Sequence, residues 1–313
     1  MNRRTFLYRT SAAAVASAAF SRFIRAASPS IKVGICDWSL GDQCDPSMIP
    51  VAAETGLDGI QVSVATRPEH VPLRDPAFRQ QYLDLGARHG IRFPSTAAGS
   101  ILNNIPLRSE PEAAVYVIDA VEAAAALGAD NILVAFFGDA DLRLRDAMGD
   151  FRNLREGPFS EYELDSEGVA RVVAALRQIA PRARDAGVVL GLENTLTALQ
   201  NLEIIDRVGS DFVKVYYDIG NSTAYGYDVP GEIRMLGKEM ITEIHIKETL
   251  GLRDPMWAVL GGPSSGGIGF ESVAAAVREI GYDRWFILET GGREGREAED
   301  TRGNVEFAKR QFG

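Results

Sequence analysis

Eight times between Ile31 and Glu289 a short apolar run is followed by a turn and then a stretch of helical periodicity, a pattern that restricts the chain to alternating strands and helices. The runs are I-K-V-G-I-C (31–36), G-I-Q-V-S-V (59–64), Ile91 to Thr96 and N-I-L-V-A-F (131–136), then four more that reach Glu193, Asp218, His245 and Glu289. They are apolar on both faces, as strands are when helices cover a parallel sheet. Helices are expected over 46–55 with Asp45 as cap, 76–88 ending at His89-Gly90, 109–128 opened by S-E-P-E, 164–185, 199–208, 230–238, 270–280 and 297–312. A doubly wound open sheet is the rival arrangement, but no G-x-G-x-x-G turn follows the first strand. The expectation is an α/β chain with one domain, a (β/α)8 TIM barrel over residues 31–313. The charged connection 138–162 is long for a compact domain, and such loops are usually lids or binding loops.

Residues 1–27 stand apart. Arg3-Arg4 is followed by Phe6-Leu7, a small apolar run from Ser11 to Phe20, and Ala26-Ala27-Ser28. A charged start, a short apolar stretch and small residues are the layout of an export signal, here of twin-arginine type, with cleavage expected near Ala27. The apolar run is too short to span a bilayer. The chain is therefore expected to meet the twin-arginine export machinery and to work in the periplasm or outside the cell. Five of the 33 basic residues and none of the 43 acidic ones lie in residues 1–30, so the remainder carries a net charge of −15. So acidic a surface disfavours a nucleic-acid partner. The only two cysteines, Cys36 and Cys44, make no disulfide framework and no C-x-x-C site. Two free thiols are expected, a single bridge being the alternative.

A parallel barrel gathers the C-terminal ends of its strands at one rim, where barrel active sites lie. The last four strands carry Glu193, Asp218, His245 and Glu289 to that rim, on adjacent staves of one half of the barrel. His245 and Lys247 alternate with apolar residues in I-T-E-I-H-I-K-E, so a strand aims both to one face. Three carboxylates and one imidazole suit a hard or borderline divalent ion, Mn²⁺ first, with Mg²⁺ and Co²⁺ as alternatives. Glu243 and Lys214 fall at strand starts and read as ionic groups at the barrel bottom.

Five ordered segments make the pattern specific: L-E-N (192–194), Y-D-I-G-N (217–221), I-H-I-K-E (244–248), G-I-G-F (267–270) and G-Y-D-R-W-F-I-L-E (281–289). With them the chain resembles the sugar isomerases and epimerases of the xylose-isomerase-like barrel superfamily, which includes ketose 3-epimerases, hydroxypyruvate isomerase and inosose dehydratase. The resemblance covers the C-terminal half by motif and the N-terminal half by architecture alone. It implies that Glu193, Asp218, His245 and Glu289 hold one divalent metal, and that Glu193 and Glu289 flank a sugar and move a carbon-bound proton through an enediolate. Base pairs on opposite faces give epimerisation and one base serving neighbouring carbons gives isomerisation. A leaving group β to the carbanion turns the same site into a dehydratase or lyase acting on a 3-keto sugar or keto-inositol.

The chain departs from that pattern at Asn221, where epimerases often carry histidine, and in having only Arg253 as a basic residue soon after the seventh strand. Asn221, Lys247, Arg253, Trp38 and Trp257 are the candidate substrate-binding residues; for Lys247 the bland alternative is a solvated rim lysine, for the tryptophans simple packing. The glycine-rich run 261–267 precedes a helix where barrels often hold phosphate, but it is read as a flexible loop, because an exported enzyme is expected to meet unphosphorylated sugars. His70 and His89 read as structural. A trinuclear phosphodiesterase of the endonuclease IV kind needs more histidines than the three present. A non-catalytic sugar-binding barrel would need no acid pair beside a metal. A homo-oligomer is left open.

Overall fold

The computed structural model describes residues 31–155, 161–251, 254–256, 259–261 and 267–313. Eight parallel strands close on themselves: β1 (Lys32–Cys36), β2 (Gly59–Ser63), β3 (Ser95–Ala97), β4 (Asn131–Phe136), β5 (Val189–Asn194), β6 (Val213–Asp218), β7 (Ile241–Ile246) and β8 (Trp285–Leu288). Each pairs with its neighbours in sequence and β8 returns to β1, so no edge remains. The outer ring is α1 (Ile49–Glu54), α2 (Pro76–His89), α3 (Ala114–Leu127), α4 (Ser166–Ala186), α5 (Ala198–Val208), α6 (Val229–Met240), α7 (Phe270–Glu279) and α8 (Glu297–Phe312). The TIM barrel expected from the β–α repeat is the fold observed. Among the described residues no helix is long and apolar enough to cross a membrane.

Helix boundaries follow local chemistry. Asp75, Asp165 and Thr197 accept backbone N–H bonds at the starts of α2, α4 and α5, where Thr197 and Gln200 form a capping box. Gly90, Gly128, Gly187 and Gly209 close α2 to α5 in left-handed conformation, which a side chain would oppose. One strand differs from expectation. The apolar run Ile91–Pro94 does not form β3, which begins at Ser95. Phe93 packs edge-on against Tyr82 of α2, and only Arg92 bridges to Gly59, so the run fills the strand–helix layer instead.

The connection 138–162 leaves the barrel and carries an antiparallel hairpin of Asn153–Arg155 with Glu161–Tyr162. Its anchor is Arg143, buried, paired in two-pronged fashion with Asp141 and stacked on Phe151 and Tyr225 at 3.6 and 4.4 Å. Between strands and helices lies one continuous apolar core, with a smaller cluster inside the barrel formed by Cys36, Ala97, Leu133, Ala135, Tyr216 and Ile287.

Candidate metal centre and sugar pocket

The four acidic and histidine side chains at the ends of β5 to β8 converge. One ligand atom from each of Glu193, Asp218, His245 and Glu289 lies within 4.8 Å of every other, and all four residues are buried. His245 Nδ1 stands 2.9 Å from Glu193 Oε1, 3.3 Å from Glu289 Oε2 and 3.7 Å from Asp218 Oδ2.

Each is placed by local structure. Glu193 follows an alternating V-L-G-L-E strand, so its side chain enters the barrel from β5. Asp218 ends β6 and also caps the short helix Ile219–Ala224. Its Oδ1 accepts the N–H groups of Gly220 and Asn221 at 2.7 and 2.8 Å, which turns Oδ2 toward the cluster. Glu289 extends the β8 ladder by donating its N–H to Ile246. Trp38, on the short helix Asp37–Leu40 after β1, donates its indole N–H to Glu289 Oε1 at 3.2 Å and meets His245 edge-on.

Lys247 is not a solvated rim lysine. It is 7% exposed, with Nζ 2.5 Å from Glu289 Oε2, 3.0 Å from Asp218 Oδ2 and 3.2 Å from Asn221 Oδ1. Its stem reaches there because residue 220 is glycine: a Cβ at that position would stand 2.1 Å from Lys247 Cγ. Asn221, the departure from the family pattern, accepts from Lys247 through its side-chain oxygen and donates its backbone N–H to Asp218.

The electrostatics are strained. Burial raises Glu193 to about 7, against the opposing pull of His245. Burial works the same way on Asp218 and Glu289, but the Lys247 ammonium and then His245 overcome it and hold both low. Burial likewise opposes charge on Lys247, and Asp218 and Glu289 more than offset it. Among the described residues, no directed hydrogen bond reaches Asp218 Oδ2 or Glu289 Oε2, although Lys247 Nζ is close by. With His245 neutral, as a metal-binding imidazole must be, three carboxylates and one ammonium leave two negative charges, which one divalent cation would balance. Oxygen-rich donors with one imidazole fit Mn²⁺, Mg²⁺ or Co²⁺.

Beside the cluster opens a cavity of about 350 Å³ lined by Trp38, Gln43, Ser100, Asn103, Phe137, Glu193 and Glu289, among others. It lies at the small end of the range for small-molecule sites, about 300–1,000 Å³. Sequence reasoning missed Gln43, Ser100, Asn103 and Phe137, which come from rim loops and a short helix with no periodic signal. Arg253 and Trp257 lie outside the described residues, as do residues 1–30 and 262–266 of the glycine-rich run.

One expectation changes and one residue is added. Glu243 lies away from the rim as read, but as a carboxylate fully buried inside the barrel and, among the described residues, in no ion pair: Ser95 Oγ, Tyr216 OH and Asn131 Nδ2 donate to it at 2.6, 2.7 and 3.1 Å. Gln61 was overlooked, yet its Oε1 stands 3.1 Å from His245 Nε2. The signal was present in G-I-Q-V-S-V, where Gln61 and Ser63 share the inward face and Ile60, Val62 and Val64 the outward one. Cys36 and Cys44 are both free thiols. Cys36 lies against His245, and Cys44 donates to the Ser63 carbonyl.

Comparison with known proteins places this geometry among relatives. A family profile described as xylose isomerase-like TIM barrel matches residues 49–311. An inosose dehydratase of Lacticaseibacillus casei is 27% identical over 237 residues, 69% of this chain and 74% of that one. Among solved structures, a D-psicose 3-epimerase from Clostridium cellulolyticum H10 superposes with a TM-score of 0.69 at 17% identity, covering 90% of this chain and 99% of that one. A 3-keto-D-glucoside 4-epimerase from E. coli gives 0.68 at 13% identity over 90% and 99%. At such identities the structural likeness speaks for the fold.

Proposed function

Because the chain belongs to the xylose isomerase-like TIM barrel family, we propose that it is a divalent-metal-dependent enzyme that moves a proton next to the carbonyl of a free sugar or keto-sugar, as an isomerase or epimerase. The observation that carries this reading is the meeting of Glu193 and Glu289 around one imidazole at the mouth of a monosaccharide-scale cavity. Glu193, Asp218, His245 and Glu289 would hold the ion, Mn²⁺ in the first instance. When bound, it supplies Lewis-acid polarisation of a carbonyl oxygen.

The rest falls to this chain's own side chains. Glu193, raised to about 7 by burial, is poised as a base near neutral pH. Glu289, held ionised and oriented by the Trp38 indole at one oxygen with Lys247 close to the other, is the second base. The proton taken by Glu193 is returned by Glu193 itself in isomerisation, and Glu289 serves the opposite direction of an epimerisation. Lys247 and Asn221 present an ammonium and an amide to substrate oxygens, and the ammonium favours the negative charge of an enediolate. Trp38 and Phe137 offer apolar faces to a sugar ring and keep water from it. Arg253 and Trp257, from the segment after β7, are proposed as further substrate contacts. Residues 1–27 are proposed as a twin-arginine signal that carries the enzyme out of the cytoplasm.

A second reading, dehydration or β-elimination from a 3-keto sugar or keto-inositol, is favoured by the dehydratase relative. It begins with the same proton abstraction. One experiment addresses both: incubation in D₂O with Mn²⁺ and a panel of free ketoses, 3-keto sugars and inososes, followed by mass spectrometry and proton NMR after the metal is removed. Metal-dependent deuterium entry next to the carbonyl is expected, and loss of water separates lyase from epimerase. No exchange on any of these, with Mn²⁺ bound, would sink the catalytic reading.

A further inference from the structure

We propose that Gln61 is a positioning residue that holds a proton of His245 on Nε2, so that Nδ1, 2.9 Å from Glu193 Oε1, is the nitrogen left to meet a cation among the three carboxylates. The inference rests on the metal-dependent reading above and extends it to a strand, β2, that contributes nothing to the cluster itself.

The argument follows from counting protons in the network beneath the cluster. Glu243 lies two residues before His245 on β7 and is reached by three donors, with Ser95 Oγ and Tyr216 OH both on its Oε2. Each hydroxyl has one proton, and both are committed to that carboxylate. Toward any other neighbour Ser95 Oγ and Tyr216 OH can only accept. Gln61 meets both, at 2.9 and 2.8 Å, so the group it turns to them is its NH₂, and both amide hydrogens are used. A flipped amide would press its oxygen against two oxygens with no proton to give. The orientation of Gln61 is therefore set by Glu243, and its Oε1 is left facing His245 Nε2 at 3.1 Å.

An acceptor at that place requires a donor opposite it. The only other polar neighbour of Nε2 among the described residues is Cys36 Sγ at 3.3 Å, and the Cys36 thiol donates to the same Gln61 oxygen at 3.4 Å. The tilt of the imidazole is fixed as well, because the Tyr216 ring packs against it at 4.6 Å with planes 66° apart. A glutamate two residues before His245 on the same strand thus decides, through two hydroxyls and one amide, which nitrogen of His245 meets a cation. Partners of this kind typically change metal affinity by about 10- to 100-fold when removed.

Only three histidines occur in the chain, so ¹⁵N-histidine labelling gives a readable spectrum of the full protein. At pH 8, a slowly exchanging Nε2–H correlation from His245 is expected without metal and with Mg²⁺, with Nδ1 unprotonated in the Mg²⁺ form. In Gln61→Leu, close in shape, that proton should exchange rapidly, and Mn²⁺ affinity by calorimetry should fall about 10- to 100-fold. Tyr216→Phe keeps the ring on His245 and removes one of the two acceptors of the amide, so a smaller loss, about tenfold or less, is expected. It also serves if the leucine variant does not fold. An Nδ1–H tautomer in the Mg²⁺ form, or wild-type Mn²⁺ affinity in both variants, overturns the inference alone. Failure of the wild-type protein to bind Mn²⁺ with Nε2–H intact overturns the metal-dependent reading, and this inference with it.

Discussion

Glu193 and Glu243 are buried carboxylates inside the same barrel, one layer apart, and they live in opposite circumstances. Glu243 collects three hydrogen-bond donors and, among the described residues, forms no ion pair. Glu193 shares one imidazole with Asp218 and Glu289, and among the described residues two oxygens of that group have no directed hydrogen bond, with only the Lys247 ammonium close by. In the lower layer the carboxylate itself is fully served and the one orphan is a neutral amide oxygen, Asn131 Oδ1, whereas the orphans of the upper layer are carboxylate oxygens that a cation would balance. A buried polar cluster that satisfies itself belongs to the scaffold, and one that does not is a place where a ligand is expected.

The comparison is broken most directly through the upper layer. Glu193→Gln and Glu289→Gln should each lower turnover by about 10²- to 10⁴-fold, the range for loss of a general base or acid. Without metal, Glu193→Gln should at the same time hold stability or raise it by about 1 kcal/mol at pH 8, because an amide escapes the burial cost, and the lesser repulsion from Glu289 and Asp218, that lift the acid to about 7. Thermal melts and deuterium exchange on the same samples test the pairing. A strongly destabilised variant would mean that the cluster is scaffold after all.

The lower layer should respond with the opposite sign. Glu243→Leu leaves Ser95, Tyr216 and Asn131 donors buried without their acceptor, at a cost of about 3–5 kcal/mol in urea denaturation. A neutral result would remove the distinction between the layers. Between them stands Gly220→Ala, whose Cβ would collide with the Lys247 stem. The lysine must retreat from Glu289, so proton transfer should slow while stability falls by about 1–3 kcal/mol. Unchanged exchange would mean that Lys247 only balances charge.

How far the two layers were legible follows from the same contrast. The upper layer could be read because each of its members ends an apolar strand, and a parallel barrel brings strand ends together whatever lies between. The cap Asp45 likewise announced its helix locally, and it accepts the Ser47 N–H at the start of the helical turn Pro46–Met48. The lower layer could not be placed, because Glu243, Ser95 and Asn131 occur early in their strands, where a polar residue reads as a solvated end. Only the shear of the closed barrel brings them inside, opposite Gln61 and Tyr216. Phe137 and Asn103 depend on loop paths, and Ile91–Pro94 looked like a strand because packing against a helix demands the same apolar residues as pairing does.

Glu232 offers the finest test, since it is intermediate: a buried acid in the wall between β6 and α6 that accepts two bonds, from Ala198 N–H at 2.7 Å and Tyr217 OH at 2.8 Å. Burial outweighs those bonds and raises it from an ordinary 4.5 to about 7. Between these values the folded protein holds a proton that the unfolded chain has released, so this group makes stability fall as pH rises from about 4.5 to about 7 and adds no slope above. Between pH 6 and 7 its share is about 1 kcal/mol. Asp37, raised to about 6 by burial, and Glu243 slope the same way, so the wild-type curve alone does not isolate Glu232. Subtraction does: Glu232→Gln should flatten urea-derived stability over that unit by about 1 kcal/mol relative to wild type. Parallel curves would mean that two hydrogen bonds already suffice to keep a buried carboxylate ionised here, and that Glu193 is set apart by its charged neighbours and not by burial.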